Sequence, residues 1–95
     1  MDAIITLIEP GDSKDTDVKT EVFATVSSTG RDEFVAAGER GFKATNKFEV
    51  WANEYANQPE CIYNSKRLTI YRTYGPRSDD KIELYAAERV GRYGG

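Results

Sequence analysis

The chain has 95 residues, a formal net charge of −3 and no histidine. A chain of this length makes a single domain, 1–95, with a small core. Without histidine it lacks the commonest general base and zinc ligand, and its acidic balance disfavours binding to duplex DNA, which depends on phosphate contacts.

Apolar residues make up 39% and charged residues 31% of the chain, as expected for a soluble fold. No apolar run approaches the roughly 20 residues that a membrane-spanning helix needs. The start of the chain is acidic rather than basic, so we expect neither a secretion signal nor membrane association. The single cysteine, Cys61, cannot form an internal disulfide, and we expect it to be a small buried side chain.

The first predicted strand is the β-branched run Ala3–Ile8. Pro10 and Gly11 end it, and the polar segment Gly11–Asp17 is predicted to be a mobile loop without an apolar anchor. A calcium site is an alternative there, but the order of an EF-hand loop is absent. The polar side chains of this segment include Asp12, Lys14, Asp15 and Asp17.

A second strand is predicted over Val18–Val26, with its valines and Ala24 on one side and Phe23 on the other. Ser28 or Thr29 can cap a short helix that we predict over Gly30–Arg40. Acidic residues in its first turn suit the positive end of the helix dipole.

Gly41–Lys47 is predicted to be a second loop, in which Phe42 either tucks under the chain or anchors a neighbouring subunit. The third strand is predicted over Phe48–Tyr55. Both of its sides carry apolar residues, which is typical of a central strand or of one that meets a partner. The predicted subunit or partner interface comprises Phe42, Lys43, Asn46, Trp51 and Tyr55.

The stretch Tyr63–Val90, with the short strand Glu60–Tyr63 before it, predicts three antiparallel strands. If Asn64-Ser65 is a two-residue turn, Cys61 faces Leu68; a three-residue turn would place Ile62 there instead. We favour the first, because asparagine tolerates positive φ. The apolar side is expected to hold Leu68, Ile70, Tyr74, Ile82, Leu84, Ala86 and Val90, with a hairpin loop at Gly75–Asp80 and a frayed tail at 92–95.

Together these elements predict a mainly β protein: a small antiparallel β-barrel of about six strands with one short α-helix between strands two and three. Barrel closure removes exposed strand edges. The acidic pairs Asp32-Glu33 and Asp79-Asp80 lie at a helix start and in a turn, where they have structural roles. We therefore predict that the chain is not an enzyme and holds no cofactor or metal.

One segment gives a nucleic-acid signal, because tyrosines alternate with arginines over Tyr71–Arg77. Stacking on such a face would suit single strands. The competing interpretation, which the acidic balance favours, puts Tyr74 in the core and leaves the arginines solvated.

The order of several short segments resembles the phage head-tail joining family, the head-closure or stopper proteins of long-tailed phages. The resemblance covers roughly Ile4 to Glu88. The segments that carry it are Val22–Val26, Glu33–Ala37, Phe48–Val50, Ile62–Ile70 and Ile82–Glu88.

This resemblance implies a structural virion protein, assembled in the host cytoplasm into a ring of portal symmetry. The ring would lie between the portal and adaptor proteins above and the tail proteins below, and the isolated chain could remain monomeric. DNA would pass through the channel without sequence-specific binding. In such a ring we predict Gly11–Asp17 and Gly41–Lys47 as the assembly and channel elements. The loop side chains expected to line the channel or to act in assembly are Asp12, Lys14, Asp15 and Asp17. The alternatives are a tail terminator ring and a single-strand nucleic-acid-binding barrel.

Overall fold

In a computed structural model, six antiparallel strands close into a barrel in the order β1-β2-β3-β6-β5-β4. The structure describes residues 1–12, 16–28, 38 and 42–89. The strands are β1 (Asp2–Glu9), β2 (Val18–Ser28), β3 (Phe42–Trp51), β4 (Glu60–Tyr63), β5 (Lys66–Tyr74) and β6 (Lys81–Arg89). The barrel architecture predicted from the alternating strands is confirmed.

The core fills the barrel with side chains that alternate along each strand. Phe48 is fully buried and meets the ring of Tyr63 edge-on, with 5.2 Å between ring centroids. The inward face of β6 is the one that its alternation predicted. The buried cluster consists of Ile5, Leu7, Val22, Ala24, Val26, Phe48, Val50, Cys61, Leu68, Ile82, Leu84 and Ala86.

The β4–β5 hairpin has the register predicted from its turn. Asn64 and Ser65 both have positive φ, 55° and 65°, as a two-residue hairpin turn of the favoured hand requires. Cys61 therefore pairs with Leu68, and both side chains are buried.

A bulge in β5 corrects the predicted position of Tyr74. The ladder to β6 shifts between Ile70 and Arg72, so the alternation changes face at that point. Tyr74 pairs with Glu83 on the outer surface and is 59% exposed. The interpretation that placed Tyr74 in the core is therefore wrong.

β3 begins earlier and ends earlier than predicted. Residues 42–47 were expected to form a loop, but they pair with β6 from Phe42–Arg89 onward, with a bulge between Ala44 and Asn46. The pairing with β6 overrides the polar composition of the segment, as tertiary context often does for strands. At the other end β3 stops at Trp51, and a 3-10 turn over Ala52–Glu54 replaces the rest of the predicted strand.

The predicted helix Gly30–Arg40 lies outside the described residues except for Gly38, which has helical backbone. Elsewhere in the described chain, helical backbone is limited to the 3-10 turn Ala52–Glu54 and to Thr16, which also has 3-10 backbone. Val90 and the tail 92–95 also lie outside the described part. No described helix is long and apolar enough to span a membrane.

Two seams of the barrel, the β2–β3 and β1–β4 strand pairings, are short. β1 and β2 pair over their whole facing length, from Asp2–Thr25 to Glu9–Val18. In contrast, β2 pairs with β3 only over Thr25–Ser28, and β1 pairs with β4 only over Thr6–Ile8. The β1–β2 ribbon is thus joined to the rest of the barrel at diagonally opposite ends.

Candidate assembly surface

An exposed apolar row crosses the outside of three neighbouring strands. Ile4 of β1 pairs with Phe23 of β2, and these side chains are 56% and 72% exposed. Phe23 and Trp51 each lie two residues beyond the Thr25–Glu49 pair that joins β2 to β3, so they share its outer face. Trp51 is 48% exposed. Large apolar side chains exposed next to one another are typical of a surface that another molecule covers.

A cleft of about 160 Å³ opens beside this row, where β2 and β3 part. Phe23 and Trp51 form its apolar part, and Asp2 and Glu49 bring carboxylates to it. Lys81, which pairs with Trp51 across β3 and β6, places its Nζ 5.0 Å from the centre of the indole ring. Such a cation–π contact orients the ring. A cleft that combines aromatic side chains with charged groups can seat one side chain of a partner.

Trp51 also borders a second depression on its other side. This wider opening, of about 530 Å³, lies between the 3-10 turn and the β5–β6 connection. The backbone N–H of Ala52 donates to the carbonyl of Asp80 at 2.8 Å, which ties the two segments together. Trp51 therefore lines two concave regions. The second depression is also lined by Asn53, Glu54 and Pro76.

The β5–β6 connection is held next to this surface by Arg77. Its Nη1 donates to Oε2 of Glu83 at 2.6 Å, and both terminal nitrogens donate to the carboxylate of Glu49 at 3.3 Å. The Nη2 group also donates to Asp79 at 2.9 Å. Hydrogen bonds to Asp79, Glu49 and Glu83 raise the pKa of Arg77 above its ordinary value. This arginine is committed to structural pairs, contrary to its predicted solvated state.

Glu83 is the most buried of these acids. Burial alone would raise the pKa of its carboxyl, but hydrogen bonds from Tyr85 and Arg77 and the charge of Lys47 lower it below the usual value. The hydroxyl of Tyr85 donates to Oε1 of Glu83 at 2.9 Å. The network thus keeps a charged carboxylate on the outer side of β6.

The five predicted interface residues do not come together as one patch. Trp51 lies on the exposed row. Tyr55 instead packs against the core and donates from its hydroxyl to the carbonyl of Gln58 at 2.8 Å. Asn46 is half-buried in β3 and lines a separate pocket with Tyr63 and Lys66. The backbones of Phe42 and Lys43 lie in β3, and their side chains are outside what the structure describes.

The predicted loop Gly11–Asp17 is anchored at its ends. Asp17 accepts a hydrogen bond from the backbone N–H of Gly11 at 3.1 Å and pairs with Arg67 at 3.5 Å. Both anchors are polar, and the prediction of a loop without an apolar anchor did not anticipate them. Asp12 is exposed, whereas Lys14 and Asp15 lie outside the described residues.

The tyrosine–arginine segment has part of its predicted exposed face. Arg72 is exposed, and its guanidinium carbon lies 4.1 Å from the ring centre of Tyr85. Tyr74 is exposed at the end of the same strand. Among the described residues, no three histidine, cysteine or acidic side chains are grouped so that they could hold a metal ion.

Ile4 and Phe23 are the surface residues that sequence reasoning missed. Phe23 stands on the polar side of an alternating strand, between Glu21 and Thr25, and that misplaced aromatic was the available signal. For Ile4 no signal existed, because every position in the run Ala3–Ile8 except Thr6 is apolar. The register with β2 is what assigns Ile4 to the outer face.

Comparisons with known proteins do not assign this chain to a family. No protein-family model matches it, and no curated protein does either.

Proposed function

We propose that this chain is a structural subunit of the head-tail connector of a long-tailed phage. In this proposal it forms a ring beneath the portal and adaptor proteins, closes the DNA-filled head and offers the surface to which the tail attaches. The order of sequence segments described above supports it. The structural observation that supports it most is the exposed row of Ile4, Phe23 and Trp51 on a small closed barrel.

A ring subunit needs two different contact surfaces, because a head-to-tail interface joins unlike patches of neighbouring copies. The exposed apolar row and the mixed polar and aromatic cleft beside it supply one such surface. In the β1–β2 connection, the described residues Gly11, Asp12 and Thr16 are exposed and available as a second contact or as a channel element. The helix predicted over 30–40 belongs to the same proposal, as a plug for one end of the barrel.

The acidic balance of the chain suits a channel that DNA must traverse. With a net charge of −3, a ring of copies repels the phosphate backbone, so DNA passes without sequence-specific binding. The protein would act in the virion after assembly in the host cytoplasm, with no contact to a membrane.

Replacing the exposed aromatics in the phage tests this proposal. Phe23→Ser and Trp51→Ser should keep the fold, since both side chains are outside the core, while DNA-filled heads fail to join tails under electron microscopy. Tyr74→Ser is the matched control, because it removes an aromatic of comparable exposure from another part of the surface. Normal tailed particles from both cleft variants would overturn the proposal.

A different measurement separates the tail terminator alternative, in which the partner of the ring would be the tail tube. Pull-down of the purified protein against the adaptor and against the tail-tube protein gives an independent answer.

A second candidate, single-strand nucleic-acid binding, is favoured by one observation. Exposed Tyr74 and the Arg72–Tyr85 stack lie on the β5–β6 outer surface, which is how small barrels present stacking platforms. Titration with an oligonucleotide should then quench Trp51 fluorescence, weaken with salt and be reduced by Tyr74→Ser. The absence of salt-sensitive binding would contradict this candidate.

A further inference from the structure

The β1–β2 ribbon has two strand edges that the described barrel leaves unpaired. On one side, β2 has no partner in β3 over Val18–Ala24, because that ladder begins at Thr25. On the other side, β1 has no partner in β4 over Asp2–Ile5, because that ladder begins at Thr6. Each edge presents backbone N–H and C=O groups that can pair with an added strand.

Side-chain exposure indicates that the β2 edge is accessible. Lys19, Thr20 and Glu21 are all exposed, and Phe23 stands exposed at the mouth of the cleft where β3 turns away. Natural sheets usually cover or blunt an edge of this length. Within Val18–Ala24, the charged side chains of Lys19 and Glu21 are the only features that would discourage pairing. The edge therefore suits pairing with one specific strand.

We propose that the open edge of β1 in one copy pairs with the open edge of β2 in the next copy, so that neighbouring subunits share a continuous sheet. This proposal rests on the connector function, and it names a second copy of this chain as the partner of the assembly surface.

The positions of the two edges favour a second copy as the occupant. They lie on opposite sides of one ribbon, so they cannot pair with each other within a single copy. A contact between unlike edges is heterologous and repeats around a ring when the rotation closes. In a ring whose copies all have the same orientation, the β1 strands of neighbouring copies run in the same direction. The β2 strand of one copy then lies antiparallel to the β1 strand of the next copy, as it does to β1 within its own copy.

The face of the sheet on which each side chain lies restricts the register between copies. Paired residues share a face, so outward Ile4 must lie opposite Lys19, Glu21 or Phe23. Placing all of Asp2–Ile5 within Val18–Ala24 leaves Lys19 and Glu21 as possible partners of Ile4. Pairing Ile4 with Lys19 sets the carboxylate of Asp2 directly opposite Glu21, which is unfavourable. The remaining register places Ile4 opposite Glu21.

This register also accounts for the exposed row. Ile4 of the neighbour would lie diagonally beside Phe23, within reach of its ring. Phe23 and Ile4 would both lose exposed apolar surface at the junction, next to Trp51 and the cleft. The apolar row and the open edges thus belong to one contact.

Disulfide trapping between copies tests the register. The native thiol does not interfere, because burial raises the pKa of Cys61 to about 12 and the side chain is fully buried. A mixture of Ile4→Cys and Glu21→Cys proteins, oxidised at high protein concentration, should give a covalent dimer. The matched mixture of Ile4→Cys and Lys19→Cys proteins should not give a covalent dimer, since its cysteines would be only diagonal neighbours.

Hydrogen exchange of the unmodified protein gives a second measurement. As concentration rises, backbone amides in Asp2–Ile5 and Val18–Ala24 should gain protection, while those of the β5–β6 connection stay unchanged. Equal trapping in both mixtures, or no trapping with no added protection, would overturn the proposal. Protection of Val18–Ala24 that needs an adaptor or tail protein would also overturn it, because the occupant would then be another chain.

The outcome can be separated from that of the connector function. Trapping at Ile4–Glu21 together with normal tail joining by both Phe23→Ser and Trp51→Ser particles would support edge pairing and contradict the connector. Failed tail joining without trapping would support the connector and contradict edge pairing.

Discussion

Arg77 and Glu83 form a 2.6 Å ion pair that joins the β5–β6 connection to the strand that follows it. Glu49 of β3 accepts from the same guanidinium, so one side chain links the connection to two neighbouring strands. The backbone reinforces this arrangement, because the N–H of Arg77 donates to the carbonyl of Lys81 at 2.8 Å. Glu49 also lines the cleft next to Trp51, so this polar cluster extends to the assembly surface.

Replacement of Arg77 should destabilise the barrel. Arg77→Ala removes the guanidinium that donates hydrogen bonds to both Glu83 and Glu49. Only the more distant Lys47 ammonium, 3.9 Å from Glu49 and 4.0 Å from Glu83, then remains as their shared cation, and loss of hydrogen bonds to a poorly exposed carboxylate is costly. We expect a clear fall in the midpoint of thermal unfolding followed by circular dichroism. Arg77→Lys should restore only part of the lost midpoint temperature, because an ammonium cannot reproduce the planar, two-pronged hydrogen bonding of a guanidinium.

Arg67→Ala is the matched control for this prediction. Arg67 pairs with Glu60 and Asp17, but it is more exposed than Arg77, and exposed pairs contribute little. A fall as large as that of Arg77→Ala would show that the buried position of Glu83 is not what matters.

Acid should weaken the same cluster. The pKa of Glu83 lies below its ordinary value of 4.5, and a hydrogen bond from Arg77 lowers that of Asp79 below 3.8. A carboxyl with a depressed folded-state pKa stabilises the fold above its unfolded pKa and loses that contribution as pH falls through the folded value. Unfolding midpoints of the native protein should therefore drop below about pH 4.5, and Arg77→Ala should show a shallower drop. If the midpoints of the native protein and of Arg77→Ala fell in parallel with pH, the cluster around Arg77 would not be the source of the acid sensitivity.

Gly75 occupies a conformation that other residues rarely adopt. Its φ is +127°, and an added Cβ would lie 3.1 Å from the nitrogen of Arg77 and the carbonyl oxygen of Lys81. Gly75→Ala should lower the free energy of unfolding by about 1–3 kcal/mol, measured by denaturant titration. Gly38→Ala, where nothing lies within 4 Å of the new Cβ, should be neutral or stabilising by up to about 1 kcal/mol.

Much of the barrel could be predicted because local patterns and tertiary pairing agree. The Asn64-Ser65 turn fixed the Cys61–Leu68 register, and alternation in β6 identified Ile82, Leu84 and Ala86 as inward. Where a single extra residue intervenes, alternation fails. The bulge between Ile70 and Arg72 carries no distinctive residue, so the outward position of Tyr74 could not be read from the sequence.

The assembly surface was only partly predictable, because it depends on contacts between distant segments. Trp51 was identified from the two-sided apolar character of its strand. Arg77 and Glu49 are 28 residues apart, and no short-range pattern connects them. Residues 42–47 read as a loop because their strand character comes from β6 rather than from their own side chains.

The thiol of Cys61 should report on global opening of the barrel. Because burial raises its pKa to about 12, the reactive thiolate is scarce and shielded at neutral pH. Labelling by a thiol reagent should be slow in the native protein and should accelerate in proportion to the unfolded fraction across a denaturant series. Rapid labelling without denaturant would mean that the β1–β4 seam opens locally.

Two phenylalanines provide a matched test of core against surface. Phe48 is fully buried and Phe23 is 72% exposed, so the same change to alanine removes a core ring in one case and a surface ring in the other. Phe48→Ala should reduce the free energy of unfolding by about 3–5 kcal/mol, while Phe23→Ala should change it by no more than about 0.5 kcal/mol. Chemical denaturation measures both. A large loss from Phe23→Ala would mean that this ring stabilises the fold of the single chain, and its exposure could then no longer be explained by a partner.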